Sequence, residues 1–159
     1  MNDGEDQDSG EEGRRMDYNE TLNDILVNLF NEVMDCEERS VAESEFRNIS
    51  VNDMHILAAI GLLEPRNMSA IARSLSVTVG TLTIAVNNLV KKGYVKRVRS
   101  QEDRRVVLLS LSTKGQKAYF HHKAFHENMV RAVLKDLTPE EAEALTAALQ
   151  KLQNFFRSH

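Results

Sequence analysis

The hydrophobic repeat of this chain changes period once, and that change confines the fold more than any other feature. Before it, Val79, Leu82, Val86 and Leu89 recur at helical spacing on a stretch that Thr78 caps and Gly93 stops. Lys91 and Lys92 fill the last turn, where the helix dipole favours cations. Directly after Gly93 come two β-branched or apolar runs, 94–99 (YVKRVR) and 106–111 (VVLLSL), separated by the polar hexamer 100–105 (SQEDRR). Runs of that kind around a polar break predict a hairpin. A shorter helix over 69–75, with Ile71, Ala72 and Leu75 inward, precedes the Thr78 helix across the link Ser76-Val77. Helix, turn, helix and hairpin in that order make a winged helix-turn-helix.

The flanks read as helices. Leu22, Ile25, Leu26, Leu29, Phe30, Val33 and Met34 form one stripe on a helix over 17–43. Ser50, with Asp53 three residues on, opens a helix carrying Met54, Leu57, Ala58 and Leu62 and ending before Pro65. Thr113 starts a long helix reaching to about residue 136. Thr138-Pro139-Glu140-Glu141 is a second start signal, with a cap, a proline at the first helical position and a glutamate at the capping-box position. That last helix places Leu145, Ala148, Leu149, Leu152, Phe155 and Phe156 on one side. The expected fold class is mainly α with a β-hairpin wing: a winged helix-turn-helix over 49–111, an α-helical dimerisation region over 17–48 and 112–159, and a disordered acidic tail over 1–16. The outer helices carry more apolar stripe than one small winged domain can cover, and two-fold pairing would bury Phe155 and Phe156.

The chain has 159 residues, 42% of them apolar, enough for one domain with a sizeable core. No run approaches the roughly 18 consecutive apolar residues of a membrane span. The acidic start MNDGEDQDSGEEGRR lacks the apolar stretch of a signal peptide. Cys36 is alone and cannot form an internal disulfide. A cytoplasmic location is expected, with no membrane partner. The net charge of −4 conceals a segregation: residues 66–117 hold eleven Lys and Arg against only Glu102 and Asp103, a local net of +9. A basic third within an acidic chain is the footprint of a polyanion site.

The pattern inside the basic block makes that polyanion double-stranded DNA. Opposite Leu82, the Thr78 helix carries Gly80, Ile84, Asn87 and Lys91, flanked by Thr81, Thr83 and Asn88, and this face holds no acid. Gly80 and Thr81 allow close approach and donate to phosphate; threonine methyls and Ile84 suit a thymine methyl; Asn87 suits bidentate pairing with adenine. At the hairpin tip, Arg104 and Arg105 can reach a narrow minor groove, with Asp103 orienting the arginine. Ser69, Thr78 and Arg99 complete the expected DNA-contacting set.

The stretch IARSLSVTVGTLTIAVNNLVKKGYVKRVRSQEDRRVVLLSLSTKG resembles the MarR family of bacterial transcriptional regulators. The family's Asp-x-Arg wing signature falls on Asp103 and Arg105, and its closing Leu-x-Thr-x-x-Gly pattern on Leu111, Thr113 and, one residue early, Gly115. The resemblance extends over about residues 17–158. Ile84 stands where a polar residue would be expected. Within the family, MHILAAIG, VTVGTLTIAVNNL, SQEDRRVV and HKAFHENMV are most similar to repressors of fatty-acid synthesis genes. That similarity implies a homodimer on a palindromic operator, with a long-chain acyl group on acyl carrier protein as corepressor. Leu29, Val33, Met54, Phe125 and Met129 are the candidates for an acyl-chain pocket, since methionines adapt to irregular apolar guests; the same five also fit an ordinary core.

Other readings compete for some residues. His122 and His126 stand four apart on one helix, a spacing that binds zinc, and His55 with an early glutamate such as Glu37 would extend the set. Some MarR relatives sense zinc, so a regulator responding to zinc or another small ligand is the alternative. Lone helical histidines, His121 among them, are more often surface or interface residues, and neither a metal nor any other cofactor is expected. Cys36 lies beside Asp35, Glu37 and Glu38, an environment that disfavours a reactive thiolate. The sequence has no phosphate loop or catalytic constellation, so an enzyme is not expected. A helical interaction module without DNA would leave the basic block and the Asp-Arg-Arg tip unexplained.

Overall fold

The computed structural model describes residues 8–158, with side chains from Tyr18 onward. Two compact units divide at Val51/Asn52. The first is dominated by α1 (Asp8–Ala42), followed by a turn in which Phe46 and Ile49 are buried. The helix begins about nine residues earlier than the apolar stripe predicts, so residues 8–16, expected to be disordered, are helical; the rest of the expected tail, 1–7, lies outside the described residues. Leu22, Ile25, Leu29 and Phe30 are all more than half exposed.

The second unit follows the predicted order. α2 (Val51–Ile60) is shorter than expected, ending where Gly61 takes φ +74°, so Leu62 falls outside it, and Ala58 faces solvent. A two-residue strand β1 (Arg66–Asn67) leads into α3 (Met68–Ser74), whose N-cap is Asn67, its side chain accepting from the Ala70 amide at 2.8 Å. Ser76, at φ +55°, makes the turn into α4 (Val79–Lys91), with Thr78 as N-cap. Leu82, Val86 and Leu89 are buried as the period requires, but Val79 is 44% exposed because the first turn projects beyond the core.

Gly93, at φ +81°, turns the chain into the hairpin of β2 (Val95–Arg99) and β3 (Val107–Leu111), in antiparallel register Val95↔Leu111 to Arg99↔Val107. β1 adds to the other edge of β3, Arg66 opposite Leu109, giving sheet order β1-β3-β2. Ile71, Leu82, Val86, Leu89, Tyr94 and Leu109 are sealed from solvent and make the centre of the core.

α5 (Thr113–Lys135) is locked to the base of the hairpin. Ser112 caps it by accepting from the Gly115 amide at 3.0 Å, donates its hydroxyl to the Gly93 carbonyl at 2.6 Å, and donates its amide to the Tyr94 carbonyl at 2.9 Å. Gly115 passes so close that a Cβ there would lie 2.1 Å from the Tyr94 carbonyl oxygen. α6 (Pro139–Arg157) opens with the predicted capping box of Thr138 and Glu141 and has no buried residue. No single helix among the described residues is long and apolar enough to cross a membrane.

Candidate nucleic-acid interface

α4 is held by its buried stripe, and its outward face is therefore fixed in orientation. The Thr78 hydroxyl accepts from the Thr81 amide at 3.1 Å and lies 2.9 Å from the Thr81 hydroxyl, so the first turn is tied by side chains and carries no acid. Thr83 donates its hydroxyl to the Val79 carbonyl at 2.7 Å. With that proton spent on its own helix, Thr83 keeps a methyl and a lone pair to offer a ligand. A Cβ at Gly80 would meet nothing nearer than 3.8 Å, so internal packing does not require glycine there; its absent side chain opens the face to an approaching surface. Ile84 is 68% exposed, an apolar group with no internal reason to face water. Asn88 and Lys91 are exposed one and two turns further on, and Ser69 is exposed on α3.

Asn87 is half-buried, and its side-chain oxygen accepts from the Arg97 guanidinium on β2. Arg97 did not stand out in the sequence as a site residue. The signal was present in the period-two pattern, since Arg97 shares a strand face with buried Val95 and so falls on the side of β2 that packs against α4.

The wing tip is built around Asp103. Ser100 bonds the Val106 carbonyl at 3.0 Å across the mouth of the turn, and its hydroxyl accepts from the Glu102 amide at 3.2 Å. The Asp103 carboxylate accepts the Arg105 amide at 3.0 Å and the Arg105 guanidinium at 3.2 and 3.3 Å. These hydrogen bonds, the guanidinium first, hold the Asp103 carboxyl below the usual aspartate range. The Arg105 side chain is nevertheless 91% exposed: oriented at its root, free at its face. Arg104 and Arg99 are exposed beside it. The two elements together give an acid-poor helix face and a cationic loop, chemistry suited to a major groove and an adjacent minor groove.

Three histidines gather elsewhere in the second unit. His122 and His126 on α5 bring their Nε2 atoms within 3.2 Å, and the His55 ring on α2 lies 5.2 Å from the His122 ring between centroids. His122 is buried; His55 and His126 are half-buried. His121 faces another direction on α5 and takes no part in this cluster. Glu37, on α1, is buried. Among the residues expected to hold an acyl chain, Met54 is sealed in the core, Phe125 and Met129 are half-buried one turn apart on α5, Val33 is half-buried and Leu29 is 51% exposed. Cys36 is exposed and accepts a hydrogen bond from Arg39 at 3.1 Å.

Comparison with known proteins agrees with this geometry. The MarR family model matches residues 49–107. The regulator SarZ of Staphylococcus saprophyticus is 34% identical over 104 residues, 65% of this chain and 68% of SarZ. This chain belongs to the MarR family. Among solved structures, FabT of Streptococcus pneumoniae in complex with DNA is 37% identical, with a TM-score of 0.84 over 87% of this chain and 97% of that one. Apo MarR of Escherichia coli is 26% identical, with a TM-score of 0.62 over 80% and 93%. This MarR-family chain is accordingly a DNA-binding transcriptional regulator with the family's winged helix-turn-helix, and its relatives are regulators, not enzymes.

Proposed function

We propose that this chain is a cytoplasmic homodimeric repressor of fatty-acid biosynthesis genes that binds a palindromic operator and is strengthened on it by a long-chain acyl-acyl carrier protein. The observation that carries the reading is the likeness to FabT bound to DNA over 97% of that chain, joined to the resemblance of MHILAAIG, VTVGTLTIAVNNL, SQEDRRVV and HKAFHENMV to repressors of fatty-acid synthesis genes. On DNA, α4 lies in the major groove, with Thr78, Gly80, Thr81 and Lys91 against phosphates and Thr83, Ile84, Asn87 and Asn88 toward base edges. Arg105, oriented by Asp103, enters the neighbouring minor groove, and Ser69, Arg99 and Arg104 add backbone contacts.

A second copy is the occupant that suits the outer helices. Leu149, Phe155 and Phe156 on α6 are 51%, 54% and 66% exposed, an apolar stripe that water penalises. Pairing about a two-fold axis covers it and sets two recognition helices about 34 Å, one turn of DNA, apart. For the acyl chain, Phe125 and Met129 have surface to offer a guest; Met54 backs the core and would act only if that packing opened.

A specific observation favours a second effector. In a tetrahedral zinc site with bonds of about 2.0–2.1 Å, ligand nitrogens stand about 3.3 Å apart. The His122 and His126 Nε2 atoms are 3.2 Å apart, with a nitrogen of His55 within 4.8 Å of both. Three imidazoles fit a zinc-class ion, which would tie α2 to α5 and so bear on the winged domain.

The discriminating experiment titrates operator duplex with the full chain in the presence of apo carrier protein, long-chain acyl carrier protein, zinc or chelator. Tightening by the acylated carrier alone supports the first reading. Dependence on zinc alone, lost in His122→Ala, replaces it with the second.

A further inference from the structure

We propose that Arg97 is a positioning residue for base recognition: it fixes the Asn87 amide so that the pair reads a guanine rather than the adenine a free asparagine would prefer. The inference rests on the assignment of Asn87 to base reading made above, and it concerns which base is read and what sets the choice.

The chemistry of the contact leaves one arrangement. A guanidinium has five N–H donors and no acceptor, so the atom of Asn87 that faces Arg97 is the carboxamide oxygen, whichever way the amide is turned in isolation. Arg97 can reach it because β2 packs against α4 and Arg97, ten residues beyond Asn87, lies on the strand face of Val95. Nothing else among the hydrogen bonds of the described residues claims the amide nitrogen, so the NH2 is the end left for a ligand.

The consequence is a change of pattern. An unattached asparagine matches adenine by accepting from N6–H and donating to N7 at once, using both ends of its amide. With a cation already donating to Oδ1, that oxygen is the poorer acceptor and the NH2 the more polarised donor. The pair then presents mainly donors: Nδ2–H2 of Asn87 and the N–H groups of Arg97 that do not face it, with one weakened lone pair remaining on Oδ1. Guanine shows two acceptors, N7 and O6, in the major groove, and adenine shows N7 beside a donor that would meet these donors head-on. A pair dominated by donors at this place on the recognition helix therefore favours guanine.

The experiment is an in vitro selection with the full chain on duplexes randomised across a half-site, followed by affinities for the selected duplex and its single-base variants at two salt concentrations. Wild-type protein, Asn87→Ala, Arg97→Met and Arg97→Lys are compared. Wild type should prefer guanine at one position per half-site, and Asn87→Ala should abolish that preference. Arg97→Met, which keeps length and frees Oδ1, should move the preference to adenine by roughly tenfold, while Arg97→Lys, which restores a cationic donor, should retain guanine. Arg97 is exposed, so the melting temperatures of its variants should match wild type. If Arg97→Met weakens all sequences evenly and only lowers the salt slope, Arg97 is a phosphate contact and the proposal is overturned while Asn87 remains a base reader. If Asn87→Ala leaves the selected base unchanged, the base-reading role falls and the proposal falls with it.

Discussion

Arg105 meets Asp103 three times, through its backbone amide at 3.0 Å and its guanidinium at 3.2 and 3.3 Å, although its side chain is 91% exposed. An exposed ion pair contributes little to stability. Under the proposed function its value is orientation: the carboxylate fixes the root of a side chain whose far face would meet DNA. Arg105→Ala should therefore leave folding and dimerisation unchanged and weaken operator binding by about 1–3 kcal/mol, with the loss concentrated at A·T-rich flanks. Fluorescence anisotropy on duplexes differing only in those flanks checks this, and equal affinity for both proteins would remove the wing from the interface.

Asp103 adds a dependence on proton uptake. Because Arg105 lowers its folded pKa, the carboxylate's contribution is present above the ordinary aspartate range and is lost only as pH falls through the lowered value. Operator affinity should thus show no titration from this group between about pH 5 and 8. Asp103→Asn imposes at neutral pH what strong acid would, and should lose affinity in the same direction as Arg105→Ala, by a smaller amount, in the same anisotropy assay.

Asn87→Ala should relax base preference at one position per half-site by about 1–3 kcal/mol, leaving the other positions as they were. Competition among single-base operator variants measures it. A uniform loss across all variants would instead make Asn87 a phosphate contact.

Gly115→Ala would place a methyl 2.1 Å from the Tyr94 carbonyl oxygen, an atom that already accepts the Ser112 amide. The wing base or the start of α5 must shift, at a cost of about 1–3 kcal/mol. The melting temperature should fall by several degrees, and DNA binding should weaken because the wing is displaced. An unchanged melting temperature would mean this junction is looser than its hydrogen bonds imply.

Phe156→Glu should dissociate the proposed dimer. The residue is 66% exposed and meets the neighbouring Phe155 ring edge to face at 5.3 Å between centroids, a contact on the helix surface, so the substitution should spare the fold. Sedimentation equilibrium should give a monomer with native circular dichroism and greatly weakened operator binding; a dimer that persists would place the interface elsewhere.

Where capping and period agree, sequence and structure coincide. The Thr138-Pro139-Glu140-Glu141 start became a complete capping box, Thr78 caps the recognition helix, and the 94–111 runs pair as a hairpin. These are local signals that tertiary packing had no reason to override. The departures lie where local rules say little. β1 is two polar residues, too short to have a period, and forms only because β3 offers an open edge. Val79 belongs to the α4 stripe by spacing, but the helix starts outside the core. In the candidate site, the exposure of Ile84 and the Asp103–Arg105 pairing were readable from position on the helix face and at the wing tip. The Arg97–Asn87 bond was not, because it joins a strand to a helix ten residues apart through a turn whose angle only the folded structure sets. The three-histidine cluster was half visible: the α5 pair follows from i, i+4 spacing, whereas the approach of His55 depends on how α2 packs.

The most direct measurement is the affinity of the full chain for a duplex from upstream of fatty-acid synthesis genes, set against a scrambled duplex of equal length, over a range of salt. The proposed function predicts binding that falls steeply with salt for both duplexes yet stays at least a thousandfold, or about 4 kcal/mol, tighter for the true site. Equal affinity for the two, at every salt concentration, would contradict it.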